Sequence, residues 1–148
     1  MPVPFGISVG DFVAGLSLIT NALKKIQDEH GAKANYQSLI REVANLQAGF
    51  IAIEDFVIGT TNSKRHAAIQ QAVAEGRDCI EDFLLCISKY QPSLDVEGTT
   101  SGWKAKLCQI RWGICKKEGV AKFRTDLQQR SWAVNMLLVT LQLYNLSV

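Results

Sequence analysis

At 148 residues the chain has the length of one domain and enough apolar sequence to bury a core. Its 47% hydrophobic and 20% charged residues are ordinary for a globular protein, and a net charge of +2 is too small to indicate a nucleic-acid binder. Three prolines, two of them within the first four residues, leave room for long uninterrupted helices.

Asp11 is the one charged side chain in the first 23 residues. Around it, Val9, Phe12, Leu16, Ile19, Leu23 and Ile26 recur at steps of three and four, which places them on one helix stripe. Ser8 stands as the N-cap with Asp11 three positions on, and Ile7 and Phe12 fall where a hydrophobic staple would sit. Gly10, Ala14, Ser17 and Asn21 form a small, mildly polar strip opposite. Such a helix is either the buried first helix of a bundle or a segment meant for a membrane or partner. A resting transmembrane span is not expected, because Asp11, Ser17, Thr20 and Asn21 dilute the stretch. The first basic residue, Lys24, comes after it, so no secretory leader is expected and a cytoplasmic setting is.

A second helix is predicted after Asn35, carrying Tyr36, Leu39, Val43, Leu46, Phe50, Ile53 and Val57 up to Gly59. Residues 59–63 read as a turn, with Asn62 or Ser63 capping the next helix. The third carries Ile69, Val73, Ile80, Phe83, Ile87 and Tyr90, with Gly76 in the vacant step, and ends at Gln91-Pro92. A loop runs from Pro92 to Ser101. The fourth helix is predicted from Gly102 to Lys117 with Trp103, Leu107, Ile110 and Ile114 on its seam, and Glu118-Gly119 marks a break. The fifth runs from Val120 to Tyr144 through Phe123, Leu127, Val134, Leu137, Leu141 and Tyr144, with Arg130 interrupting. No segment alternates with a period of two. The fold is therefore predicted to be all-α, an antiparallel helical bundle of four to five helices spanning 1–148 as one domain. Ile40, Ile51, Leu84 and Val139 widen the stripes, which favours a closed bundle over an extended coiled coil.

Converging catalytic groups are scarce. His30 and His66 sit at helix ends, where a capping or solvated role is expected. The acids Glu75, Asp78, Glu81 and Asp82 read as a solvated face rather than a metal site. The turn Gly59–Lys64 lacks the second glycine and the preceding strand of a phosphate loop. Cys79 and Cys86 are seven apart, as are Cys108 and Cys115. A helix sets each pair about 10 Å apart, too far to share a metal or a disulfide. Buried structural thiols are expected, and a site with one cysteine from each helix is the alternative. No enzyme, cofactor or metal is expected. Lys104, Lys106, Arg111, Lys116, Lys117, Lys122 and Arg124, interleaved with Trp103 and Trp112, read as an anionic-surface binder, or else as charges that pair with the acidic third helix.

The segments 6–12, 89–92, 110–117, 120–127, 135–138 and 140–142 carry a family resemblance over nearly the whole chain. In sequence these are GISVGDF, KYQP, IRWGICKK, VAKFRTDL, NMLL and TLQ. They resemble the HeLo-like N-terminal helical domains of fungal NOD-like (STAND) receptors. That resemblance implies a non-enzymatic signalling module, normally placed before a nucleotide-binding switch in a longer protein. It implies self-association, and membrane-targeting cell-death execution with recruitment to anionic plasma membrane. The opening helix would engage the membrane or a partner through Phe5, Ile7, Val9, Phe12, Leu16 and Ile19. The alternative is a protein–protein interaction or oligomerisation module without membrane activity, whose heptad stripes pair with a partner helix. A third is a regulator that binds an enzyme through one charged face.

Overall fold

Ser8 starts the first helix: its hydroxyl accepts the Asp11 N–H at 3.0 Å, satisfying one of the donors a helix leaves open at its N-terminus. The computed structural model describes residues 8–30, 36–57, 63–91 and 102–146. The helices are α1 (Val9–His30), α2 (Gln37–Val57), α3 (Ser63–Ser88), α4 (Trp103–Gln109) and α5 (Lys117–Leu146), with a 3₁₀ turn at Trp112–Ile114. Among the described residues there is no strand. Over the described residues the chain is an all-α antiparallel bundle of five helices. Ile7, Asn35, the turn residues 59–62 and the loop 92–101 lie outside the described residues, as does the side chain of Val57.

The predicted stripes are the core. Phe12, Leu16, Ile19 and Leu23 of α1 are fully buried, together with Leu39, Val43, Leu46, Phe50 and Ile53 of α2. Ile69, Val73, Ile80, Phe83 and Ile87 add the face of α3. α5 is the spine, packing along both α2 and α3, while α1 lies on α2 and the short α4 crosses α1. Phe12 meets Phe50 edge to face with ring centroids 5.0 Å apart. The same ring explains Gly76: a Cβ there would stand 2.6 Å from the Phe12 Cζ, so only a glycine lets α3 close on α1. Gly15 does the same for α4, whose Trp103 ring lies where a Cβ would be, 2.0 Å from its nearest atom. Lys104 Nζ then sits 3.4 Å from the Asp11 carboxylate, so α4 is fastened to the first turn of α1 by a ring and an ion pair. Asp11 thus spends its carboxylate on α4.

The fourth helix is shorter than predicted. It stops at Gln109, and Ile110 takes an extended backbone (φ −64°, ψ 130°). The cause is Gln91, which is 2% exposed. Its Oε1 accepts the Arg111 N–H at 2.9 Å and its Nε2 donates to the Arg111 carbonyl at 3.1 Å. A side-chain amide thereby satisfies the peptide groups that a continued helix would have paired. The Tyr36 hydroxyl donates to the Trp112 carbonyl from the other side. The redirected chain drops Trp112 into the core, where it stacks on Phe83 at 5.5 Å, and Phe83 stacks on Phe123 at 4.2 Å. Ile114, expected on the seam, is 52% exposed instead. The predicted break at Glu118-Gly119 is also displaced: the non-helical residues are Cys115 and Lys116, and α5 runs through Gly119.

Two substitutions test this packing. Gly76→Val should destabilise the fold by about 2–3 kcal/mol through overpacking against Phe12, read as a lower urea midpoint at unchanged slope. Gln91→Leu leaves the Arg111 N–H without its partner and should cost about 2 kcal/mol, with a changed near-ultraviolet circular dichroism band from Trp112.

A candidate interaction face on the last helix

Most of α5 obeys the rule for a surface helix, with one face inward and one polar. Phe123, Leu127, Val134 and Leu141 are buried, while Arg124, Thr125, Gln128 and Gln129 are exposed. Beyond Arg130 the rule fails, because no charged side chain comes after it in the sequence. Here a second apolar row runs along the outside: Trp132, Met136, Val139 and Leu143, exposed by 68%, 46%, 46% and 61%. The steps between them are four, three and four, so they form one straight ridge. A helix that is apolar on both sides is normally covered on both. Thr140, beside the ridge, turns its hydroxyl onto the Met136 carbonyl at 2.9 Å and so adds no unmet polar group.

Next to the ridge, α2 and α5 leave a shallow groove of about 490 Å³. Glu42, Asn45, Ala48, Gly49 and Ala52 form its α2 wall, and Gln128, Ser131, Trp132, Asn135 and Leu138 its α5 wall. Ser131 is 7% exposed, and its Oγ has no hydrogen-bond partner among the described residues. The ridge keeps heptad spacing like the inner seam, so its signal is present in the sequence. A single seam drawn along α5 hides it, since only Val139 is then set beside that seam.

The residues expected to engage a membrane are elsewhere. Phe12, Leu16 and Ile19 are the fully buried core face of α1, and Val9 packs partly buried against it. Phe5 and Ile7 lie outside the described residues. No described helix is long and apolar enough to cross a membrane. The expectation of membrane targeting through the apolar first helix is therefore corrected: its stripe is apolar because it is core.

The basic residues expected to bind an anionic surface are spread over several elements. Lys104 and Lys106 are on α4, Arg111 is in the extended link, and Lys116 lies between the 3₁₀ turn and α5. Lys117, Lys122 and Arg124 are exposed on the first turns of α5. Lys122 Nζ pairs with Asp126 of its own helix at 2.7 Å, and this partner raises its pKa. Lys116 Nζ stands 4.9 Å from the centre of the Tyr90 ring, and its N–H donates to the Tyr90 hydroxyl at 3.0 Å. The interleaved tryptophans are structural too, Trp112 buried and Trp103 half-buried on α1. On α3, Glu75 takes Arg130 at 3.0 Å and Glu81 takes Arg77 at 3.7 Å. Among the described residues no group of three or more His, Cys, Asp or Glu is placed to hold a metal ion.

All four cysteines are free, and only part of the expectation of buried thiols stands. Cys79 is buried and Cys115 half-buried, but Cys86 and Cys108 are exposed. Burial pushes the Cys79 thiol up to about 12, with Asp126 adding to the shift. Burial likewise pushes Cys115 up to about 11. Tyr36 and Tyr90 are raised chiefly by burial as well. None of these shifts creates a nucleophile at neutral pH.

The chain matches no protein-family model, no curated protein and no solved structure.

Thiol titration checks the placement of the cysteines. With Ellman's reagent at pH 8, Cys86 and Cys108 of the folded protein should react promptly, and Cys79 and Cys115 only after denaturation.

Proposed function

We propose that this chain is a non-enzymatic protein–protein interaction and oligomerisation module, a cytoplasmic signalling bundle of the fungal NOD-like-receptor N-terminal type. In the full-length protein it would stand before a nucleotide-binding switch. The observation that supports this best is the ridge of Trp132, Met136, Val139 and Leu143, exposed on a helix segment without charge. Surface helices keep such rows only where something docks on them.

The magnitudes fit docking that is reversible. The ridge offers on the order of 400 Å² of apolar surface, a gross contribution of about 10 kcal/mol at roughly 25 cal/mol per Å². Association itself costs roughly 4–15 kcal/mol, so what remains suits a switchable contact rather than a permanent one. Trp132, the largest and most exposed member, is the anchor expected to dominate the binding energy. The groove beside it supplies a polar rim through Asn135 and the buried Ser131 hydroxyl.

A displayed library of amphipathic helices provides the test, panned against the wild-type domain and counter-screened on Trp132→Glu/Leu143→Glu. Both positions are exposed, so the double variant should keep its circular dichroism and melt within a few degrees of wild type. Enriched helices should lose at least about tenfold in affinity for the variant. Helices that bind both proteins equally, or no enrichment at all, would remove the ridge from the function.

A further inference from the structure

We propose that the partner seated on this ridge is a second copy of the chain, its α5 running antiparallel to the first across a two-fold axis. The inference rests on the interaction-module proposal and goes beyond it by naming the occupant.

The spacing carries it. Steps of four, three and four read the same in either direction, so the ridge is its own complement when reversed. A two-fold axis between Met136 and Val139 sets Trp132 of one copy against Leu143 of the other, and Met136 against Val139. Each contact is made twice, as an isologous interface requires. The pairing also matches size: the bulkiest side chain meets a γ-branched one at each end, and flexible Met fits around stiff Val in the middle. Parallel pairing would stack Trp132 on Trp132 and Val139 on Val139, wide at one layer and thin at another.

Charge points the same way. The positions flanking an apolar helix ridge set partner choice through their charges. Here they are Gln128, Ala133, Asn135, Thr140 and Gln142, all uncharged. At these positions a copy of the same face brings no like charge against its own, and Glu42, across the groove on α2, accepts a hydrogen bond from the Gln128 amide at 3.5 Å. The two-fold brings Asn135 opposite Thr140, polar against polar at the rim.

Area sets the strength. Adding Asn135, Gln142 and the neighbouring Gln129 to the ridge gives roughly 600 Å² per copy, about 1,200 Å² in all, at the lower end for specific interfaces. The dimer is therefore weak and concentration-dependent, with a Kd on the order of 10–100 μM. At low abundance the copies are apart. Tethering several on one assembly raises their effective concentration into the millimolar range and joins them.

Sedimentation velocity on the whole chain tests this. Wild type should pass from monomer at about 1 μM to mostly dimer at several hundred μM, and Trp132→Glu should stay monomeric across that range. Charge pairing then reads the geometry. Met136→Lys and Val139→Glu should each weaken dimerisation alone, and their mixture should recover a heterodimer at least about tenfold tighter than either variant with itself. Recovery instead by Met136→Lys mixed with Met136→Glu would overturn the antiparallel arrangement. A dimer that survives Trp132→Glu would place the contact elsewhere. A wild type that stays monomeric while displayed helices still require the ridge would overturn the second copy as partner but leave the docking face standing. A monomeric wild type with no ridge-dependent helix would overturn both.

Discussion

The interaction on which the bundle turns is the capture of the Arg111 peptide by the buried side chain of Gln91. Helical hydrogen bonding would otherwise carry α4 onward past Ile110, and Trp112 would then emerge on a helix whose inward face is set by Leu107 and Ile110. The amide of Gln91 competes with that ladder by offering both a donor and an acceptor in the right places, while the Tyr36 hydroxyl holds the next carbonyl. The chain is bent inward at the cost of only a few helical bonds, and those are replaced. The bend builds the aromatic column of Trp112, Phe83 and Phe123, which joins the link between α4 and α5 to the inner faces of α3 and α5. α3 thus supplies the seat, Phe83, and the turn that follows it supplies the lock, Gln91.

Helix periodicity makes most of the bundle legible. Four of the five helices are long, and their three-four spacing picks out residues that are buried in the fold, down to the vacancy at Gly76 that Phe12 fills. Local rules serve as well: Ser8 does cap α1. The link from Ile110 to Lys116 is not legible for a reason that is equally physical. Its sequence has good helical spacing, and the force that overrides it comes from a residue twenty positions earlier in the chain. Gln91 reads simply as the residue before a proline. Nothing local distinguishes a glutamine that ends a helix from one that also reaches across to another segment.

The face on α5 is hidden for the opposite reason, since its signal is present but ambiguous. A helix carrying apolar residues on two sides gives a weak sense of inside and outside, and a single-seam description absorbs half of it and discards the rest. Burial resolves the matter. Leu127, Val134 and Leu141 point inward, and Trp132, Met136, Val139 and Leu143 have the same spacing but no cover from the described residues. The first helix shows the reverse case. Its low charge suggests a membrane role, yet its apolar stripe is spent on the core, and its few polar groups serve the fold: Ser17 accepts a hydrogen bond from Gln47 at 2.6 Å, and Asp11 holds Lys104. Low charge thus has opposite meanings at the two ends of the chain, and only packing tells them apart.

The seating of Trp103 on Gly15 has a bearing on how such a sequence can drift. The indole occupies the space that any side chain at position 15 would need, so the two positions cannot change independently. A lineage that acquires alanine or a larger residue at 15 must first shrink or displace the ring at 103, and one that keeps tryptophan at 103 holds glycine at 15 despite glycine's low helix propensity. These positions lie 88 residues apart in the chain. Distant relatives of this protein should therefore carry them as a matched pair, glycine with tryptophan or a larger residue with a smaller ring, a correlated signature detectable even where overall sequence similarity has faded.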